Sequence, residues 1–220
     1  MSERGLAAVI WDMDGVIADT GDFHYRAWVK VFGERGVSFE KADFMRFFGR
    51  RHDTIIRFAL GDDISQEEFD KVTAEKQQLY RELVRQNVIP LPGAVELVRA
   101  LNTANIPTAI ATSAPYPNID VILDGLGIKD CFQAIASGLE VTESKPDPAV
   151  YLLAAKKLGV DPASCVVFED AVAGVASAKN AGMKCIGVTN SHPGESLRQA
   201  DRVVDSLTEV TLDDLRTLFE

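Results

Sequence analysis

Residues 8–16 read Ala-Val-Ile-Trp-Asp-Met-Asp-Gly-Val, an apolar run that ends abruptly in two carboxylates and a glycine. The length of the run and its Val-Ile-Trp content predict a buried strand rather than a helix. Ligand sites of open α/β sheets lie just outside the carboxyl ends of strands, and an unpaired acid is costly to bury elsewhere. Asp12 and Asp14 are therefore candidates for chemistry at the end of the first strand.

Two later segments carry a hydroxyl pair and a cation. Residues 107–111 form a second apolar run that leads into Thr112 and Ser113, whose hydroxyls could hold a phosphate oxygen. Lys145 lies in a turn, Ser-Lys-Pro-Asp-Pro, at residues 144–148. Taken alone, the hydroxyls could belong to an ordinary turn and the lysine to a solvated surface.

A further apolar run, residues 165–168, predicts another buried strand, and Glu169 and Asp170 follow it directly. These acids could instead open the next helix, where the helix dipole favours negative charge. In combination with Asp12 and Lys145, they indicate a phosphoryl-transfer site. In such a site a metal offsets the acids, and the lysine steadies both the nucleophile and the phosphate.

These segments resemble the haloacid dehalogenase superfamily, in particular its beta-phosphoglucomutase and sugar-phosphate phosphatase branch. The resemblance covers essentially the whole chain, with the signatures in the family's order. The matching motifs are Asp12-Met13-Asp14-Gly15-Val16-Ile17, Ala111-Thr112-Ser113, Ser144-Lys145-Pro146-Asp147-Pro148 and Phe168-Glu169-Asp170-Ala171, followed by Gly174, Ala178, Ala181 and Gly182.

The resemblance implies a role for each acid. Asp12 matches the nucleophile that becomes a transient aspartyl phosphate, and Asp14 matches the general acid and base. Asp12, the Asp14 carbonyl and Asp170 match ligands of Mg²⁺, with Glu169 bound directly or through water. A set of oxygen donors suits a hard cation of this kind.

The resemblance also implies the phosphate contacts. Thr112 and the backbone of Ser113 match groups that hold phosphate oxygens. Lys145 matches the charge that stabilises Asp12 and the phosphate together.

Substrate choice is expected in the segment between the first strand and the later motifs. Its entry resembles that of beta-phosphoglucomutase, in which the histidine matching His24 hydrogen-bonds the general acid and base. In the mutase, however, a lysine stands at the position of Phe48, and the arginine for the second phosphate stands at His52. Arg50 and Arg51 lie next to these positions and could replace that arginine, so Arg51 and His52 are candidate substrate contacts.

The pattern of elements predicts an α/β fold. A Rossmann-like parallel sheet with flanking helices is expected from residues 1–17 and 92–220, and an inserted helical cap domain from residues 18–91. Helices are predicted at 93–104, 118–126 and 148–158, with Asp147 as the cap of the last one and Pro148 as its opening residue. Further strands are predicted near Thr108, Ala134, Val166, Ile186 and Val203.

Composition sets limits on partners. The chain has 220 residues, 46% of them hydrophobic, and a formal net charge of −10, which argues against nucleic acid and anionic membranes as partners. Cys131, Cys165 and Cys185 are expected to be buried thiols in a reducing cytosol. No apolar run approaches the ~20 residues that span a bilayer, and the first five residues do not resemble a signal peptide, so a cytoplasmic location is expected.

The sequence thus predicts a Mg²⁺-dependent phosphomonoester hydrolase that acts on a small phosphorylated metabolite, as a monomer or weak dimer. The main alternative is a phosphohexomutase. A phospho-accepting receiver domain would need only ~120 residues and no helical insertion. A dehalogenase would have no need of Asp14 and Mg²⁺.

Overall fold

The computed structural model describes residues 5–47 and 52–220. The chain forms two compact units, one made of Met1–Asp19 with Val88–Glu220 and the other of Thr20–Asn87. We call the first the sheet unit and the second the helical unit.

The elements follow one another along the chain as strands β1–β6 and helices α1–α9. Their bounds are β1 Ala8–Trp11, α1 Gly21–Gly33, α2 Lys41–Phe47, α3 His52–Leu60, α4 Gln66–Gln86, α5 Ala94–Thr103, β2 Thr108–Thr112, α6 Tyr116–Leu126, β3 Ala134–Ser137, α7 Ala149–Leu158, β4 Cys165–Glu169, α8 Val172–Asn180, β5 Lys184–Val188, β6 Arg202–Val204 and α9 Leu212–Thr217.

The sheet unit contains a six-stranded sheet in the order β3-β2-β1-β4-β5-β6. Every neighbouring pair is parallel, so a helix or loop must carry the chain back between successive strands. Strands β1, β2 and β4 are buried along their whole length, as expected for a sheet covered on both faces. The predicted parallel α/β fold is therefore confirmed.

One face of the sheet packs against α7 and α8. Alternate residues of β1 and β4 enter this core, among them Ala8, Ile10 and Val167, and α7 contributes Tyr151 and Ala154. The side chains of Trp11 and Phe168 belong to neighbouring strands in direct register, and their rings stack with centroids 4.4 Å apart. Stacked aromatic pairs add stability beyond the area that they bury.

The helical unit has its own apolar core. Its members come from α1 to α4 and from the loop before α2, and they include Trp28, Phe32, Phe39, Ile56 and Val72. Arg35 ties α1 to α4 through ion pairs with Glu68 (2.7 Å) and Glu75 (2.8 Å). Helical periodicity in this segment therefore corresponds to real helices that bury their apolar faces against one another.

Some predicted boundaries differ from the structure. Helix α6 begins at Tyr116, two residues before the predicted start, because Pro115 takes the position that precedes the helix and Pro117 is compatible with the first turn. Pro148 precedes α7 rather than opening it. Asp147 does support that helix, since its Oδ1 accepts a hydrogen bond from the Ala149 amide at 2.9 Å.

The three cysteines are free thiols, but only Cys165 and Cys185 are buried, and Cys131 is half-buried, contrary to the expectation. Burial raises the pKa of the Cys165 thiol to about 12, so this side chain is unreactive at neutral pH.

In the described part of the chain, no helix combines the length and apolar character that membrane crossing requires.

Candidate active site

The acids of the candidate site meet because β1 and β4 are adjacent. Trp11 pairs with Phe168, so the residues that follow lie at the same edge of the sheet. The Asp12 amide donates to the Phe168 carbonyl at 3.0 Å, which extends the strand contact to the first acid. Asp12, Glu169 and Asp170 are all buried, and one carboxylate oxygen from each lies within 4.8 Å of the others. Glu169 is the last residue of β4, rather than an acid in the first turn of α8.

Lys145 lies between two of these acids. Its Nζ is 2.6 Å from Oδ1 of Asp12 and 2.6 Å from Oε1 of Glu169, and it lies 3.4 Å from the Ala111 carbonyl oxygen. The lysine side chain is only 12% exposed. Its ammonium therefore neutralises part of the buried negative charge and links the acids that follow strands β1 and β4.

The turn that carries Lys145 is fastened to α8. Ser177 Oγ donates to the Asp147 carbonyl at 2.7 Å, and Asn180 Nδ2 donates to the Pro146 carbonyl at 3.0 Å. The Lys145–Pro146 peptide bond is cis. Because α8 starts just after Asp170, the same helix adjoins the acids and anchors the lysine turn.

Glu169 is held by four donors. Oε1 accepts from Lys145 and from the Tyr151 hydroxyl, each at 2.6 Å, and Oε2 accepts from the backbone amides of Asp170 (3.0 Å) and Ala171 (3.1 Å). Gly174 lies so close to this carboxylate that a methyl group there would overlap it. The orientation of Glu169 is therefore fixed on every side.

Asp170 is positioned by the loop after β5. Ser191 Oγ donates to Asp170 Oδ2, and His192 Nδ1 lies 3.1 Å from the Asp170 carbonyl oxygen. Gly15 approaches the same carboxylate with φ +83°, and a Cβ there would overlap Oδ2. Neither Tyr151 nor Ser191 was predicted as a site residue from the sequence. A signal for Ser191 was available, since it follows a strand of the same parallel sheet.

Asp14, Thr112 and Ser113 lie in the sheet unit with these acids. Asp14 is half-buried, its backbone forms a bridge with Ala18, and its charge acts on Asp170. Thr112 is the buried last residue of β2, and its Oγ1 accepts from the Ala114 amide at 3.2 Å. Ser113 is exposed. A turn stabilised by the Thr112 hydroxyl leads the chain from β2 towards α6.

The electrostatics of the site show an excess of negative charge. Burial and the nearby Glu169 carboxylate raise the pKa of Asp170 to about 7. Burial raises the pKa of Asp12 well above its usual value, although Lys145 acts in the opposite direction. Burial alone would lower the pKa of Lys145, but Asp12 and Glu169 outweigh it and raise the pKa. The ammonium is therefore charged, and it does not fully compensate the acids.

This donor set fits a divalent cation. Carboxylate oxygens are the ligands that hard cations prefer, and a cation here would offset the crowding that raises the pKa values of Asp12 and Asp170. Asp12, Glu169 and Asp170 each place a carboxylate oxygen within 4.8 Å of the others. Asp14 is not part of this group of carboxylates, because the ligand expected from it is its backbone carbonyl oxygen.

The predicted substrate contacts of the insertion belong to the helical unit. His24 is in α1, where its ring stacks on Tyr80 with centroids 4.1 Å apart and Nδ1 lies 2.8 Å from Lys76 Nζ. Lys76 is fully buried, with Nζ 5.1 Å from the ring centroid of Trp28.

The predictions for the loop before α3 concern residues outside the description. Arg50 and Arg51 are not among the described residues, and His52 is described only as the first residue of α3.

Comparison with known proteins places this arrangement in a family. The family model of the haloacid dehalogenase-like hydrolases matches residues 6–182. The beta-phosphoglucomutase of Bacillus subtilis (strain 168) is 33% identical, over 98% of this chain and 96% of its own. The fructose-1-phosphate phosphatase YqaB of Escherichia coli (strain K12) is 33% identical, over 86% of this chain and 98% of its own.

A solved structure agrees with these matches. The crystal structure of the beta-phosphoglucomutase of Clostridium difficile superposes with a TM-score of 0.85 and 29% identity, covering 97% of each chain. The family model alone spans more than half of the sequence and includes every acid of the cluster and Lys145. The protein is therefore an enzyme of the haloacid dehalogenase-like hydrolase family.

Proposed function

We propose that the protein is a Mg²⁺-dependent phosphomonoester hydrolase that acts on a small phosphorylated metabolite, such as a hexose phosphate, through a phosphoenzyme on Asp12. The observation that carries the proposal is the buried Lys145 ammonium 2.6 Å from both Asp12 and Glu169, beside Asp170. Because the acids outnumber the ammonium, a dianionic phosphate would need Mg²⁺ on these acids as well as Lys145 to be held here.

In the first half-reaction, a carboxylate oxygen of Asp12 attacks phosphorus. The bond between phosphorus and this oxygen forms as the bond to the ester oxygen breaks, and Asp14 gives its proton to the leaving alkoxide. Lys145 stabilises the charge that develops on the phosphoryl oxygens while holding Asp12 in place. Thr112 and the Ser113 backbone orient the phosphoryl group.

In the second half-reaction, Asp14 takes a proton from water, and the water oxygen attacks phosphorus. The bond to Asp12 breaks, inorganic phosphate leaves, and the two carboxyls return to their starting protonation. Mg²⁺ would be held by Asp12, the Asp14 carbonyl and Asp170, with Glu169 as a further contact, direct or through water. The cation would supply positive charge beside the reacting phosphate.

The substrate class rests on the relatives. Proteins similar over most of this chain are named as a fructose-1-phosphate phosphatase and as beta-phosphoglucomutases, all of which handle hexose phosphates. We extend that class to this chain. His24, Arg51 and His52 remain proposed substrate contacts from the insertion.

A phosphohexomutase is the second candidate, because a beta-phosphoglucomutase matches nearly the whole chain. In that reaction a sugar hydroxyl, rather than water, receives the phosphoryl group. The two functions share the first half-reaction and differ only in the acceptor of the phosphoryl group. Identification of the products is therefore enough to distinguish them.

In the test, the enzyme is incubated in water enriched in ¹⁸O with one of two substrates. One is glucose 1-phosphate with a trace of glucose 1,6-bisphosphate, and the other is fructose 1-phosphate. A hydrolase releases inorganic phosphate that contains one oxygen from the solvent. Formation of glucose 6-phosphate without free phosphate would refute hydrolysis. Asp12→Asn should abolish either reaction, whereas Asp63→Asn, at an exposed position of the helical unit, should leave the rates unchanged.

A further inference from the structure

Tyr151 is a buried phenol beside the candidate catalytic groups. The proposed reaction gives this residue no role. It is the third residue of α7, and its side chain is fully buried in the core between α7 and the sheet. Burial and the nearby Glu169 carboxylate raise the pKa of Tyr151 well above its usual value. The phenol is therefore neutral, and its hydroxyl donates to Glu169 Oε1 at 2.6 Å.

Tyr151 also contacts the lysine. The Lys145 Nζ lies 4.8 Å from the centroid of the Tyr151 ring, within the range of a cation–π interaction. The phenol thus touches both partners of the Lys145–Glu169 ion pair, one with its hydroxyl and the other with its ring face.

The hydroxyl matters because of how Glu169 is held. Four donors contact Glu169. Two of these are backbone amides on Oε2, so on Oε1 the only donors recorded in the described structure are Lys145 and Tyr151. Without the hydroxyl, Oε1 would lose the donor that holds it from the α7 side, and the Lys145–Glu169 pair would lose a contact that orients it towards Asp12.

We propose that Tyr151 is a positioning residue, which holds Glu169 Oε1 and the Lys145 ammonium in the geometry that presents Lys145 to Asp12 and to the phosphoryl group. This inference rests on the proposed function, since it assigns Tyr151 to the same site. Tyr151 acts through Lys145 and Glu169, and the proposed role requires no contact between Tyr151 and the substrate.

The chain contains a matched control. Tyr116 donates to Glu140 Oε1 at 2.7 Å, and Lys157 Nζ lies 2.8 Å from the same oxygen. The same three residue types therefore meet at the surface of the sheet unit, where Lys157 Nζ also lies 3.3 Å from the Tyr116 hydroxyl. Tyr116→Phe removes the same oxygen atom from an equivalent ion pair that has no link to the acids of the site.

The experiment compares Tyr151→Phe and Tyr116→Phe with the wild type. We expect Tyr151→Phe to lower kcat about tenfold and to change KM much less. A tenfold loss is at the lower end of the range for mutations of groups that orient the ligands of a site. Tyr116→Phe should leave both constants unchanged. Equal kinetics of Tyr151→Phe and the wild type would overturn the inference.

A second readout does not depend on turnover. Fluoroberyllate with Mg²⁺ mimics a phosphoryl group on a carboxylate, and its ¹⁹F resonances report the donors around each fluorine. We expect the spectrum of Tyr151→Phe to differ from that of the wild type, with that of Tyr116→Phe unchanged. Coincident spectra of Tyr151→Phe and the wild type would refute the positioning role alone. Absence of bound resonances in the wild type would refute the phosphoenzyme and this inference with it.

A measurement on the wild type covers the case in which Tyr151→Phe does not fold. The buried Tyr151 hydroxyl proton should give a slowly exchanging resonance that moves when the fluoroberyllate adduct forms, because Lys145 then also donates to the adduct and its bond to Glu169 Oε1 changes. A purely structural hydroxyl would keep its resonance position, and that outcome would contradict the proposal.

Discussion

Lys145 Nζ lies 2.6 Å from Asp12 Oδ1, although 132 residues separate the two in sequence, between positions 12 and 145. The ion pair is nearly buried, with side-chain exposures of 12% and 10%. Removal of one partner of a buried pair leaves the other charge uncompensated, which is far more costly than the loss of a surface pair.

We predict that Lys145→Ala lowers the free energy of unfolding by about 3 kcal/mol in metal-free buffer and reduces kcat/KM by at least about a hundredfold. Urea unfolding and steady-state kinetics measure the two effects. The control is Lys157→Ala, whose ion pair with Glu140 is about one-third exposed and should contribute about 1 kcal/mol or less. Similar kinetic losses in the two variants would contradict a catalytic role for Lys145.

Gly174 provides a test of the geometry of Glu169. A methyl group at this position would overlap the Glu169 carboxylate. We expect Gly174→Ala to displace that carboxylate and to lower both the melting temperature and kcat, the latter by about tenfold or more.

Gly33→Ala is the matched helical control. It lies at the end of α1 with open space around the added Cβ, so it should keep full activity and gain up to about 1 kcal/mol of stability. Full activity of Gly174→Ala would show that the site tolerates movement of Glu169.

Ser191 should matter for cation binding because its hydroxyl donates to the Asp170 carboxylate. We predict that Ser191→Ala weakens Mn²⁺ binding, measured by calorimetry without substrate, about tenfold. Ser196→Ala changes an exposed serine a few residues further along the chain and should bind Mn²⁺ as the wild type does. If both variants bind equally well, Asp170 does not need this hydroxyl to hold the cation.

Glu140 should make stability depend on pH. Its hydrogen bond from Lys157 lowers the pKa of the carboxyl from 4.5 to about 2. A pKa that is lower in the folded state contributes stability above the unfolded-state value and loses it as the pH falls towards the folded-state value. The free energy of unfolding of the wild type should therefore exceed that of Glu140→Gln most at about pH 6 and progressively less towards about pH 3. A difference that stays constant over this range would show that the ion pair does not control the titration.

Much of the fold could be predicted from apolar runs and their endings. The run at residues 8–11 and the run at residues 165–168 are buried strands of one parallel sheet, and helices α6 and α7 end before Gly127 and Gly159 as predicted. Short strands buried on both faces have few other interpretations in an alternating pattern of helices and strands.

Helix starts were less predictable, because several nearby residues can stabilise a first turn. Before α7, both Asp147 and Pro148 favour the start of a helix, and only the structure distinguishes the residue that precedes the helix from the first residue in it. Cys131 was expected in the core, but it lies in a turn before β3 where the chain is half-buried.

Within the site, residues next to strand ends were easier to find than residues on helices. Asp12, Glu169 and Asp170 were predicted from their positions after strands and Lys145 from its turn, and the structure brings the four side chains together. Tyr151 was missed because an aromatic residue in a helix usually signals core packing, and only the rotation of α7 shows that its hydroxyl reaches a buried acid.

The central claim is that an oxygen of Asp12 bonds to phosphorus during turnover. Asp14→Asn lacks the group that would activate water, but acetyl phosphate has a leaving group that needs no proton, so this variant should accumulate the phosphoenzyme. Mass spectrometry after acid quench should then find one phosphoryl group on the peptide that contains Asp12, at a higher level in Asp14→Asn than in the wild type. Release of phosphate from acetyl phosphate by Asp14→Asn, without any phosphoryl group on Asp12, would contradict the account.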